Sequence, residues 1–284
     1  MNKKKPFKKI SLENKSKSNS NFKRKSLKPR PKNIPENFEE PKRITEMDAI
    51  RLNKYIAESG FCSRRAADDL IESGAVKVNG KKVKEMGMKI HPGAEVTING
   101  DPVSYYVKKI YIILNKPKDC VTTTIDDRGR KTIMDIVKIQ KRVYPVGRLD
   151  RNTTGAILLT NDGELTNRMI HPRYKVEKVY NIGLDKALDK SHAKEIADGV
   201  ELEDGKTAPC FLWINPENKK DISVTITEGR YRQVRRMFEK FGYDVKKLDR
   251  KHFSTLSTSG LSRGKWRFLN PKEIVMLKKA VDLD

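Results

Sequence analysis

The stretch Val143-Tyr-Pro-Val-Gly-Arg-Leu-Asp-Arg-Asn-Thr-Thr-Gly-Ala-Ile-Leu-Leu-Thr160 reads as two apolar runs joined by a polar loop. Residues 143–146 feed Gly147-Arg-Leu-Asp150. Asn152-Thr-Thr-Gly155 supplies a return turn, and Ala156-Ile-Leu-Leu-Thr160 is a second strand closed by Asn161-Asp-Gly163. Asp150 therefore stands at a strand end between Arg148 and Arg151. Nearby guanidinium groups favour an ionised carboxylate, ready to serve as nucleophile or base. An aspartate in a turn more often caps its own backbone, so this loop by itself assigns no chemistry.

Around that stretch, Ile110-Tyr-Ile-Ile-Leu114 is a buried strand ending at Asn115-Lys-Pro117, and Val121-Thr-Thr-Thr124 is a β-branched one. The pattern predicts helices near 164–170, 187–198 and 230–241, and strands near 177–184 and 222–227. Strands mixed irregularly with helices indicate an α+β domain with a mixed, mainly antiparallel sheet over 107–284. In the 230–241 helix, Arg232, Arg235, Arg236 and Glu239 fall near one face, while Val234, Met237, Phe238 and Phe241 supply the buried side. Guanidinium forks suit carboxylates and phosphates.

Upstream, residues 46–106 predict a small helix-turn-helix and hairpin domain. Leu52, Tyr55 and Ile56 share a helical face and Gly60 stops that helix; Ser63 caps a second, with Ala66, Leu70 and Ile71 inward and Gly74 at its end. Val76-Lys-Val78 and Lys81-Lys-Val83 flank an Asn79-Gly80 turn, and Glu95-Val-Thr-Ile98 runs into Asn99-Gly100. Residues 1–45, rich in Lys, Ser, Asn and Pro, lack apolar periodicity and read as a disordered basic tail. The 61 basic against 37 acidic residues leave +24, which favours a polyanionic partner such as nucleic acid. No apolar run is long enough to span a membrane, the charged start leads into no secretory segment, and Cys62, Cys120 and Cys210 form no metal or disulfide pattern. A reducing cytoplasm is the expected setting.

Four motifs in order carry a specific resemblance: Lys116-Pro117; Gly147-Arg-Leu-Asp150 with its Asn-Thr-x-Gly return and the run to Leu165; Lys178-Val-Tyr180; and Thr227-Glu-Gly-Arg-Tyr-Arg-Gln-Val-Arg-Arg-Met237. They closely resemble the motifs of pseudouridine synthases, with the RsuA/RluB/RluE/RluF family of ribosomal RNA enzymes the best match. Residues 50–106 resemble the RNA-binding domain named after ribosomal small-subunit protein four. Two positions depart from the pattern: Asp119 stands where the family more often has Gly, and Ala156 replaces a bulkier apolar residue.

The resemblance implies conversion of a ribosomal RNA uridine to pseudouridine, with no cofactor and no metal, by a monomer. It implies Asp150 as the catalytic carboxylate, acting by adduct or by proton abstraction, Arg235 as its salt-bridge partner, and Tyr180 packed on the target base. Arg148 and Leu149 would stabilise the flipped-out base. Lys116 and Lys178 are candidates for active-site packing or phosphate contact, and Arg232, Gln233 and Arg236 for RNA contacts of the large domain; Lys54, Arg64, Arg65, Lys77, Lys81 and Lys82 form a basic face on the small one. Lys131-Thr-Ile-Met-Asp135 points toward the large-subunit branch. The rival is a non-catalytic RNA-binding assembly factor with the same fold. A methyltransferase would want a glycine-rich turn after a strand and a deaminase a Cys/His zinc set, and neither is present.

Overall fold

The computed structural model describes residues 49–91, 93–105 and 108–283, so the expected tail over 1–45 lies outside the described residues. The small domain begins with β1 (Ile50–Arg51), α1 (Leu52–Glu58) and α2 (Arg64–Glu72). Ser63 starts α2 as anticipated, its hydroxyl accepting from the Ala66 amide at 3.1 Å. The buried residues of α2 are Ala67 and Ile71, with Leu70 half-buried, so Ala66 is displaced from the expected inner face. At 100° per residue, a helix whose inward line runs through 67 and 71 leaves 66 to one side.

β2 (Val76–Val78), β3 (Lys81–Lys82), β4 (Lys89–Ile90), β5 (Val96–Ile98) and β6 (Asp101–Val103) follow. Four of them form a sheet in the order β3-β2-β5-β6, while β1 pairs with β4. Both hairpin turns have positive φ at two consecutive positions, 48° and 76° at Asn79-Gly80 and 52° and 91° at Asn99-Gly100. That geometry matches the twist of the flanking strands and suits Asn-Gly above other pairs.

The large domain runs through β7 (Tyr111–Lys116), β8 (Tyr144–Pro145), β9 (Thr154–Thr160), α3 (Gly163–Ile170), β10 (Lys178–Leu184) and α4 (Lys190–Asp198). Then come a short β11 (Glu201–Leu202) and β12 (Gly205–Lys206) hairpin, β13 (Phe211–Ile214), β14 (Asp221–Ile226) and α5 (Gln233–Glu239). β15 (Val245–Phe253), β16 (Leu256–Ser257), β17 (Trp266–Phe268) and α6 (Pro271–Lys279) complete it. The sheet order is β13-β14-β10-β15-β9-β7-β17, with β8 on β9 and β16 on β15. Within it, β15 and β9 pair in parallel and the other pairs are antiparallel, giving the mixed, mainly antiparallel α+β sheet.

β9 is buried along its whole length because both its faces are covered. Ile157 and Leu159 join a core with Ile196 of α4 and Met237 and Phe238 of α5. Ala156 and Leu158 join a second core with Leu165 of α3 and Leu277 of α6. A strand buried on two faces reads as a continuous apolar run, which is how this one appears in the sequence.

Two expected elements differ. Residues 121–124 form a single bridge, Val121 to Thr132, instead of a strand. Their hydroxyls bind backbone instead, Thr122 that of Leu149 in the distant 146–153 loop and Thr123 that of nearby Ile125. The helix expected over 230–241 is α5 alone, because Arg232 sits in the left-handed region at φ 45° and cannot continue a right-handed helix toward 230.

Candidate active site

Asp150 lies within the loop between β8 and β9, and that loop is fixed from beneath. The Thr122 hydroxyl donates to the Leu149 carbonyl at 2.8 Å and accepts from the Leu149 amide at 3.2 Å. Lys116 is completely buried. Its Nζ lies 3.2, 3.0, 3.1 and 2.9 Å from the carbonyl oxygens of Pro117, Asp150, Arg151 and Thr153. Three ammonium protons shared among four carbonyls tie the turn to the end of β7. Lys116 is thus turned inward with its ammonium on backbone carbonyls, which is active-site packing, the alternative to a phosphate contact. Gly155, where β9 begins its parallel pairing, has φ 107°, and a Cβ there would lie 2.1 Å from the Arg250 carbonyl oxygen. The return turn needs glycine for that close approach.

A cavity of about 490 Å³ opens over this loop, and Leu149, Asp150, Lys178, Tyr180, Arg232 and Gln233 are among its walls. Tyr180 reaches it from β10, buried, on the strand face it shares with Ile182. Arg235 stands behind Asp150 rather than in the wall. Its Nε is 3.9 Å from Asp150 Oδ2, and its Nη1 donates to the Val245 carbonyl at 2.6 Å. This ion pair is looser than the salt bridge expected, because the separation exceeds hydrogen-bond reach and Nε has no hydrogen-bond partner. Burial pushes the Arg235 guanidinium down and Arg232 adds to that, while Asp150 opposes it. The three predicted chemical residues therefore meet at one site.

Lys178 borders the cavity but donates to the Val176 and Thr227 carbonyls at 2.7 and 3.3 Å, and burial draws its ammonium down to about 8. Arg250, also in the wall, is buried over the Phe253 ring at 4.4 Å and donates to the Ala156 carbonyl at 2.8 Å. A second cavity, of about 810 Å³, adjoins the first and shares Gly147, Arg148, Leu149 and Asp150 with it.

A sequence profile described as RNA pseudouridylate synthase matches residues 110–240, and an S4 domain profile matches residues 50–96. Ribosomal large subunit pseudouridine synthase B of Bacillus subtilis (strain 168) is 42% identical over 237 residues, covering 82% of this chain and 97% of that protein. This chain belongs to the RNA pseudouridine synthases. It is 39% identical over 236 residues to the dual-specificity RNA pseudouridine synthase RluF of Escherichia coli (strain K12), covering 82% of this chain and 80% of that one. A crystal structure of a pseudouridylate synthase superposes with a TM-score of 0.59 at 32% identity, covering 81% of this chain and all of that one.

In this synthase two further predicted RNA contacts are spent on the protein itself. Gln233 is buried; it accepts from the Arg230 amide at 3.0 Å and donates to Glu228. Arg236 makes a two-pronged pair with Asp204, both contacts at 2.9 Å, which fastens the β11–β12 hairpin to α5. Asp204 was not anticipated, since it is distant in sequence. Arg232 pairs with Glu239 at 3.2 Å. Arg148, in contrast, is exposed, and among the described residues no hydrogen bond or ion pair engages its side chain. Arg151 turns away from Asp150 to pair with Asp119, whose φ of 56° explains why glycine suits that position.

The small-domain cations are surface groups. Lys54 is 3.7 Å from Glu58, and Arg64, Arg65, Lys77 and Lys81 are exposed. Lys77 and Lys82 sit directly opposite across the β2–β3 pair, a like-charge placement. Among the described residues no group of three or more His, Cys, Asp or Glu is arranged to hold a metal ion, and no helix is long and apolar enough to cross a membrane.

Proposed function

We propose that this synthase converts one uridine of ribosomal RNA, in the large-subunit 23S molecule, to pseudouridine, with Asp150 as the catalytic carboxylate. The observation that carries the reading is that Asp150 and Tyr180 line one cavity, with the Arg235 guanidinium 3.9 Å behind the Asp150 carboxylate. The base leaves its stack and enters beside Tyr180, at a cost of a few kcal/mol that phosphate contacts offset. The bond from ribose carbon 1′ to base nitrogen 1 breaks, the base turns, and carbon 5 takes that place. Carbon 5 loses its proton and nitrogen 1 gains one, so no electron or group is imported. Asp150 acts on the sugar or the base, Arg235 steadies its charge, and Tyr180 packs against the ring. Arg148, with no hydrogen-bond or ion-pair partner among the described residues, fits the place vacated in the RNA.

Residues 107–284 constitute the catalytic domain in this reading. Residues 46–106 grip structured RNA through Lys54, Arg64, Arg65, Lys77 and Lys81, and residues 1–45 add a basic arm. The large-subunit assignment draws on the similarity to the Bacillus large-subunit synthase and on the 131–135 motif. In the structure the latter is a capping box between Thr132 and Asp135. Chemical mapping of pseudouridines in ribosomal RNA from cells with and without the gene tests it. One position in 23S RNA loses its modification; loss in 16S RNA alone overturns the assignment.

A further inference from the structure

The second cavity has walls unlike those of the first. Ile125 is 78% exposed and Tyr231 is 71% exposed, and both line it together with Asp150. Large apolar groups left in water are ordinary singly, but two on the rim of one catalytic cleft mark a binding surface.

Neither is presented on loose chain. Tyr231 lies between Arg230, which donates to the carbonyls of Asp204, Gly205 and Lys206, and Arg232, which is paired with Glu239. The ring thus projects from a backbone held on both sides. Ile125 precedes Asp126, whose carboxylate accepts from the Arg128 and Arg130 amides and from the Arg130 side chain. Its own carbonyl accepts from the Thr123 hydroxyl at 2.7 Å. Side chains anchored this way lose little freedom when a flat partner covers them, and an aromatic ring with two torsions loses least.

The same cavity carries Arg128, Arg148, Arg151 and Arg232. Exposed apolar faces among guanidinium groups match a nucleotide, whose base stacks while its phosphate is neutralised. We propose that Tyr231 and Ile125 form a stacking seat for an unpaired nucleotide adjoining the target uridine. This inference rests on the reading that the uridine itself enters beside Asp150. It makes Tyr231 and Ile125 positioning residues, and it requires a substrate in which the neighbouring nucleotide is unpaired, as in a loop or bulge rather than a continuous helix.

The test uses the full-length enzyme with unmodified transcripts of the small- and large-subunit ribosomal RNAs. Tyr231→Ala, Tyr231→Phe and Ile125→Ala are compared with the parent for single-turnover rate and for RNA affinity at two salt concentrations. Loss of one stacked base lowers kcat/KM by about tenfold or more in Tyr231→Ala. Tyr231→Phe stays near the parent because the ring face is kept, and Ile125→Ala falls less far. The salt slope is unchanged in all three, since stacking releases no counterions. Parent-level kcat/KM in Tyr231→Ala, with Asp150→Asn inactive on the same transcript, overturns the seat and leaves the catalytic reading standing. A Tyr231→Phe variant as impaired as Tyr231→Ala also overturns it, by assigning the effect to the hydroxyl. A parent that modifies neither transcript overturns both.

Discussion

Replacing Lys116 by Met keeps most of the side-chain volume and removes only the ammonium, which makes it a direct probe of how the Asp150 loop is held. In the parent, Nζ reaches four carbonyls. After the change, the Asp150 carbonyl still accepts from the Thr153 amide and the Arg151 carbonyl from the Cys120 amide. The carbonyls of Pro117 and Thr153 lose the partner that Lys116 supplied. A buried acceptor left unsatisfied costs about 1–3 kcal/mol, and relief from burying a charge offsets part of the pair, so the net loss is about 2–4 kcal/mol. Urea unfolding measures it. The single-turnover rate falls by about 100-fold, because a carboxylate displaced by about 1 Å no longer meets its substrate. A variant with parental stability and rate would refute the idea that Lys116 sets the loop.

Two further outcomes follow from the geometry. Gly155→Ala forces a Cβ to 2.1 Å from a backbone oxygen at φ 107°, and it lowers the unfolding free energy by more than about 4 kcal/mol; a thermal midpoint near the parent's would contradict this. Lys178 has its proton affinity lowered by burial to about 8 against the ordinary 10.5. Between those values the unfolded chain binds the proton and the native chain does not. Stability contributed by this group therefore rises with pH across that window and is lost as pH falls through about 8. Relative to Lys178→Met, the parent's unfolding free energy climbs by up to about 1.4 kcal/mol per pH unit there, and parallel pH profiles would contradict the assignment.

Much of this structure was readable because local chemistry and global fold agree. Asn79-Gly80 and Asn99-Gly100 specify their turns, Ser63 its helix start, and the continuous apolar run after Gly155 a strand covered on both faces. The family resemblance put Asp150, Tyr180 and Arg235 into one list, and the fold sets Asp150 and Tyr180 in one cavity with Arg235 3.9 Å behind the carboxylate. What the sequence hid were pairings between distant residues. A lysine beside a proline gives no sign that its ammonium will face four carbonyls 34 or more residues away in three of the four cases. Nothing near Arg236 announces Asp204, so a helix of arginines read as a phosphate face. Arg235 was expected in contact with Asp150, and the 3.9 Å gap reflects its competing bond to the Val245 carbonyl. The threonines at 122 and 123 looked like strand residues because β-branching favours strands, but the Thr123 hydroxyl is occupied with local backbone and that of Thr122 with the distant Leu149 carbonyl.

Asp150→Asn tests the central claim most directly. The substitution keeps shape and removes only the charge that Arg235 faces. Incubated with an unmodified large-subunit ribosomal RNA transcript, the variant binds about as tightly as the parent and forms no pseudouridine. Product at the parental rate would contradict the account and leave only an RNA grip.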